Sequence, residues 1–441
     1  MRRGVFCCGG ELVGRTTRLL SSSSRSSPAA SAVLEATPQK KVIQRAPETT
    51  TTKTTTTTTA EQPVAIAVVG GGRMGEIRCQ HIARSGGARL EAFVDVDPSA
   101  AASLASRHAG CEAYVALDDV FATKKIDAVW ICAPTPAHAD LIATSARASA
   151  HVAVEKPVAM SAVDIRNAYD VCEQHNVHLT CAFQRRCDAS YAAVAEAVAD
   201  GRVGAPRSIR SVFRDHPAPP TSFLRDAGGD PFHDIATHDI DYILSMVKQQ
   251  LNGSSLDHHP DEVWACGTSS TRELRENGVY DAATVVLKWK RGDALELCAT
   301  LDIARGSAYG YDQRVEVYGT LGNSVCVTNQ PGSNVALNDN TGTHRGPLVH
   351  SFPQRFDQAF AQELEFFLEC VRGNATPKVT SHDAQLATIV AEAALQSARH
   401  DTVVKFTRDD RNDELHLRYT PTTKPPREEP TTRHAAAAVS A

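Results

Sequence analysis

Three separated residues carry groups suited to moving a proton and a negative charge. Lys156 stands in the tripeptide Glu155-Lys156-Pro157, directly after the apolar run His151-Val-Ala-Val154. Asp234 and His238 lie four apart in Phe232-His233-Asp234-Ile235-Ala236-Thr237-His238-Asp239-Ile240-Asp241-Tyr242-Ile243-Leu244. On a helix they share one face, and Asp241 falls close to it. An imidazole of near-neutral pKa can take a proton from an alcohol, and a carboxylate one turn away can orient it. A lysine at a strand end can hold the charge left on the oxygen. Two other readings of the helix stay open: an amphipathic surface helix with a capping aspartate, or a metal site built from His233, His238 and an aspartate. The spacing fits no standard zinc signature, so no metal is expected.

A second constellation precedes these. Val64-Ala-Ile-Ala-Val-Val69 reads as a buried parallel strand, followed at once by Gly70-Gly71-Gly72-Arg73-Met74-Gly75. Gly70 permits the tight turn, Gly72 lets the backbone approach a pyrophosphate, and Gly75 lets the next helix pack closely. The start of that helix offers unpaired N–H groups to a phosphate. Asp95, at the end of the second strand, lies near the interval at which a carboxylate meets ribose hydroxyls. That favours NAD over NADP. Asp97 competes for the same role, and Arg73 could instead receive a 2′-phosphate.

The elements that position these groups divide the chain in two. From Val64 to Ala182 short apolar runs alternate with helical stretches, which predicts a parallel sheet covered on both faces. From Arg207 onward alternating strands dominate, predicting a largely antiparallel sheet, closed by helices over Phe356–Arg372 and Asp383–Arg399. The expected fold class is thus α/β: a Rossmann dinucleotide-binding domain (61–182) joined to an α+β domain with a large open sheet (183–403). Residues 1–60 are rich in Arg and Ser and poor in acids, with a Thr49–Thr59 tract; they read as a transit-peptide-like leader or an extension without an address. Residues 404–441 are expected to be mostly a disordered tail.

Composition narrows the function classes. The 441 residues suffice for two domains, and a formal charge of −5 gives no reason to expect nucleic acid. Twelve cysteines without a C-x-x-C pair suit reduced intracellular thiols, and no apolar run approaches a membrane span. A cytoplasmic or mitochondrial-matrix location is expected.

The glycine turn, the Glu-Lys-Pro tripeptide and the Asp-x-x-x-His helix together resemble the glucose–fructose oxidoreductase/inositol dehydrogenase family over about residues 63 to 403. Four segments look more specifically like inositol 2-dehydrogenases: Phe183-Gln-Arg-Arg-Cys-Asp188, Phe213-Arg-Asp-His-Pro-Ala-Pro-Pro220, Gly228-Gly229, and Tyr309-Gly-Tyr-Asp-Gln-Arg314. The resemblance implies oxidation of a cyclitol or sugar hydroxyl by hydride transfer to NAD, with Lys156, Asp234 and His238 catalytic and Asp234 orienting the imidazole. It implies a nicotinamide near Ala133-Pro134-Thr135 and Glu155-Lys156, a polyol near Arg185, Asp215, Tyr309 and Tyr311, and a homodimer or homotetramer. His216 and one residue between Gly228 and Asp234 look like insertions beside the pocket, which leaves the particular polyol open. Other activities of the family (aldose or dihydrodiol oxidation, NAD-dependent glycoside hydrolysis) and a non-catalytic sugar sensor remain as alternatives.

Overall fold

The computed structural model describes residues 62–226, 229–250, 258–292, 294–409 and 414–419. The leader, Gly228 and the tail from Thr420 lie outside the described residues.

Six parallel strands form the first sheet: β1 (Val64–Val69), β2 (Ala88–Val94), β3 (Glu112–Tyr114), β4 (Ala128–Ile131), β5 (His151–Glu155) and β6 (Leu179–Ala182). Their order is β3-β2-β1-β4-β5-β6, so the winding reverses between β1 and β4. A crevice opens beyond the strand ends at such a reversal. All residues of β1 and β4 are buried, as expected for strands covered on both faces. The edge strand β3 and the helix Leu117–Thr123 are additions to the sequence reading. β3 is three residues long and largely exposed, so it has no apolar run to reveal it.

The second sheet contains β7 (Pro206–Arg214), β8 (Glu262–Thr268), β9 (Ala282–Arg291), β10 (Ala294–Ala304), β11 (Asp312–Gly319) and β12 (Ser324–Val327). A separate exposed hairpin, β13 (Ala336–Asp339) and β14 (Gly342–Arg345), follows. The sheet order is β12-β11-β7-β10-β9-β8, extended past β8 by two further strands, and of the described pairs in this sheet only β7–β10 is parallel. Alternation marks its two faces: Val315 and Val317 are buried, whereas Arg314, Glu316 and Tyr318 are exposed.

The last two strands, β15 (Val404–Asp409) and β16 (Glu414–Tyr419), fall within the segment expected to be mostly a disordered tail. Val404 pairs with Val263 of β8, and Val404 and Phe406 are buried on either side of exposed Lys405. That short alternation is enough to extend a sheet.

The closing helices are Asp357–Val371 and Ser381–His400. Leu364, Phe367 and Leu368 of the first pack with Ile66, Val68, Phe93 and Trp130 of the parallel sheet. The Phe367 and Trp130 rings meet edge to face at 5.6 Å. Burying each such ring contributes roughly 2 kcal/mol. This packing holds one face of the first sheet against a helix contributed by the second half of the chain.

Candidate active site

The glycine turn occupies the reversal point. Gly70 has φ +105°, and a Cβ there would stand 2.6 Å from the Cys132 carbonyl carbon at the end of β4. A Cβ on Gly75 would lie 1.9 Å from the Gly70 oxygen, so only glycine lets the helix Arg73–Arg84 start so close to the turn. Gly72 is different: nothing lies within 4 Å of its Cβ position. It is also the helix N-cap, without a side-chain cap bond. Open space above Gly72 and uncapped N–H groups are what a pyrophosphate needs.

Asp95 accepts hydrogen bonds from the Gly71 N–H at 2.5 Å and the Asp97 N–H at 2.9 Å. Asp97 turns away to cap the helix Pro98–Ala105 through the Ser99 N–H at 2.9 Å. Asp95 thus lies against the glycine turn, and Asp97 serves as a helix cap. Arg73 donates to Ser351 Oγ at 2.9 Å and stacks 4.2 Å from the Phe352 ring centre. Its guanidinium thus has partners of its own in the second half of the chain. Met74 is half-buried at the first turn of the helix.

Ala133, Pro134 and Thr135 follow β4, and a single tight turn over Thr135–Ala137 leads into the helix His138–Arg147. The buried His138 ring faces the Ala133 carbonyl oxygen at 2.8 Å and that of Pro157 at 3.0 Å. It tethers the loop after β4 to the loop that carries Lys156. Glu155 ends β5 and is paired with buried Arg78 at 2.8 Å. Arg78 also meets Glu363 at 2.8 Å and stacks on Trp130 and Phe360. Burial pushes the Glu363 carboxyl up to about 7 despite the arginine beside it.

Lys156 leaves β5 and donates to the Asp234 carboxylate Oδ1 at 2.8 Å and to the Asp234 carbonyl at 2.7 Å. Asp234 lies in a wide turn over Pro231–Ala236, where the Thr237 N–H bonds back to the Phe232 carbonyl five residues earlier. Asp230 caps that turn through the N–H groups of Phe232 and His233 at 2.9 and 3.0 Å. The regular helix begins only at Thr237 and runs to Gln250.

This corrects the expected Asp234–His238 bond. Asp234 gives its second oxygen to Arg305, which also holds Asp215 at 2.8 Å and the Gly229 carbonyl at 3.1 Å. His238 Nδ1 is buried without a hydrogen-bond partner among the described residues. Its ring packs edge to face on Phe183 at 6.1 Å. Burial, then the positive charges of Lys156 and Arg185, hold the imidazole well below its ordinary pKa. Burial alone would raise the Asp234 carboxyl, but Lys156 and Arg305 outweigh it and keep it well below the usual range.

The remaining expected site residues divide. Asp215 borders the cluster through Arg305, and burial raises its carboxyl. Arg185 does not line the cleft: it is 1% exposed, bonded to Asp239 at 2.5 Å and Gln313 at 2.6 Å. Tyr311 is buried against Phe213 and Phe356, whereas Tyr309 is half exposed and donates to Asp312 at 2.8 Å. Asp241 is buried on Arg186 at 2.6 Å rather than joining His238. His233 bridges Asp230 and Glu392, whose hydrogen bonds overcome burial and raise the imidazole to about 9. A histidine so engaged is a poor candidate for the metal reading.

Comparison with known proteins agrees with this geometry. Residues 64–183 match the family model "Oxidoreductase family, NAD-binding Rossmann fold", and residues 191–325 match the "GFO/IDH/MocA C-terminal domain". An inositol 2-dehydrogenase of Rhizobium meliloti (strain 1021) is 32% identical over 335 residues, 76% of this chain and 96% of that protein. The chain belongs to the Gfo/Idh/MocA oxidoreductase family.

Other members of this family show the same relation. A Bacillus subtilis (strain 168) scyllo-inositol 2-dehydrogenase (NAD(+)) is 30% identical across 78% of this chain and 96% of its own length. The solved Lactobacillus casei scyllo-inositol dehydrogenase, with bound NAD(H) and scyllo-inositol, superposes with a TM-score of 0.69 at 27% identity, covering 78% of this chain and 99% of that one. A Corynebacterium glutamicum myo-inositol dehydrogenase gives a TM-score of 0.70 at 26% identity, covering 79% and 100%. The expected α/β class, Rossmann domain and family thus stand.

Proposed function

We propose that this chain oxidises a ring hydroxyl of a cyclitol, with NAD as hydride acceptor. The observation that carries the reading is the convergence of Lys156, Asp234 and His238 at the crevice where the glycine turn and Asp95 would seat the dinucleotide. NAD supplies the hydride acceptor when bound. Gly72 and the uncapped helix start would receive its pyrophosphate, and Asp95 its ribose hydroxyls. The His238 imidazole, neutral by environment, takes the proton from the substrate hydroxyl. The Lys156 ammonium, fixed by two oxygens of Asp234, stabilises the charge left on that oxygen.

Charge balance argues for an uncharged substrate. Lys156 and Arg305 face Asp234 and Asp215, so the two cations of this cluster are already balanced by its two carboxylates. The curated inositol dehydrogenases cited above support a cyclitol. The solvated face of the second sheet, with Arg210, Glu316 and Tyr318, is our choice for a homo-oligomer contact. No described helix is long and apolar enough to cross a membrane. The test is NADH formation with a panel of inositols, aldoses and dihydrodiols. Turnover with an inositol supports the reading, and turnover confined to aldoses overturns it.

A further inference from the structure

We infer that Arg305 is a positioning residue that holds the Asp234 carboxylate on Lys156 and away from His238, leaving the imidazole free to act as a neutral base. The inference rests on the proposed role of His238 as the base. Arg305 directly follows β10, and its backbone N–H is pinned to the Asp281 carbonyl at 2.9 Å. Its side chain is only 5% exposed. Three acceptors surround the guanidinium: Asp215 Oδ2, the Gly229 carbonyl and Asp234 Oδ2. Phe223 lies 5.9 Å away across its face. An arginine fork in this setting fixes a carboxylate's direction as well as its charge.

The geometry then reads as a chain. Asp215 fixes Arg305, Arg305 takes one oxygen of Asp234, and Lys156 takes the other. Both Asp234 oxygens are spent on cations from different halves of the molecule. The neighbouring histidine, four residues on, keeps a buried Nδ1 with no acceptor among the described residues. A carboxylate accepting from that nitrogen would stabilise the protonated imidazole and raise its pKa, so that less of the ring is in the neutral, proton-accepting form at neutral pH. The groups acting on His238 are Lys156 after β5, Arg185 after β6 with its partner Asp239, and Asp234 with its partners Arg305 and Asp215. Removing Arg305 frees one Asp234 oxygen to turn towards Nδ1, which raises the imidazole pKa.

The experiment compares Arg305→Met and Arg305→Lys in the full chain, reading both the pH profile of kcat/KM and the His238 imidazole titration by NMR. His238→Gln identifies the resonance. Arg305→Met should move the titration and the acid limb up by a pH unit or more, while Arg305→Lys keeps them near wild type. An unshifted titration in Arg305→Met overturns the inference, whatever the rate. If Arg305→Met does not fold, the pair Asp234→Asn and Asp234→Asn/Arg305→Met, which removes one of the two carboxylates that Arg305 neutralises, is compared instead. Equal His238 titrations in that pair support action through Asp234, and a further shift in the double variant overturns it. The NMR readout needs no turnover. An active His238→Gln would refute the base assignment separately from the positioning role.

Discussion

Replacing Lys156 by Met keeps the aliphatic stem and removes only the ammonium. The lysine side chain is 15% exposed and its partner Asp234 28% exposed, so the site is partly dried. At an effective dielectric of ~20, a unit charge ~4 Å from the developing alkoxide stabilises it by about 4 kcal/mol. At about 1.4 kcal/mol per tenfold, kcat should fall by about 10²–10³. The fold should lose only ~1–2 kcal/mol, because Arg305 still neutralises Asp234. NAD affinity should stay within a few-fold, since the glycine turn and Asp95 do not touch Lys156. Steady-state NADH formation, NAD titration and thermal unfolding separate the three quantities. A Lys156→Met enzyme with kcat within threefold of wild type would refute the alkoxide role.

Gly72→Ala and Gly75→Ala should part company: the first keeps its Tm but loses at least tenfold in NAD affinity, and the second lowers Tm because its Cβ meets the Gly70 oxygen at 1.9 Å. Isothermal titration and thermal unfolding of both variants check this. For wild type, the depressed His238 pKa places the acid limb of kcat/KM below pH 6.5, the ordinary imidazole value; a limb centred at or above pH 7 would contradict it. His233 titrates in the opposite sense. Its folded pKa of about 9 exceeds the ordinary 6.5, so its contribution is full below pH 6.5 and lost as pH rises through 9. Denaturant unfolding should show His233→Gln removing on the order of 1–3 kcal/mol at pH 6 and little at pH 10.

The legible features of this chain are local ones. The Gly70–Gly75 turn announces itself because glycine's backbone freedom is needed within six consecutive residues, and the flanking strand and helix share that segment. The β5–Lys156 junction reads for the same reason: an apolar run ends and a charged residue follows. The longer strands of the second sheet emerge from simple alternation, whereas the four-residue β12 and the polar segments of β15 and β16 do not.

What failed depended on distant partners. Arg305 pairs with Asp234, 71 residues away, and nothing in Ala304-Arg305-Gly306 shows which acid β10 delivers it to. The expected Asp234–His238 bond assumed an unbroken helix, whereas the wide Pro231–Ala236 turn directs Asp234 to Lys156 and Arg305. Arg185 carries the right residue type for a polyol contact, but Asp239 and Gln313 draw it into the core. His138 was missed because its work is done by ring contacts to two backbone carbonyls, which leave no trace in residue spacing.

Deuterium transfer tests the proposed chemistry most directly. Purified full-length protein is supplied with NAD and an inositol deuterated at its ring carbons, and the NADH formed is analysed by mass. One deuteron per NADH, in stoichiometric amount with oxidised inositol and abolished in His238→Ala, is the outcome expected of direct hydride transfer at this site. Absence of NADH with every inositol tried, or NADH without deuterium, would contradict it.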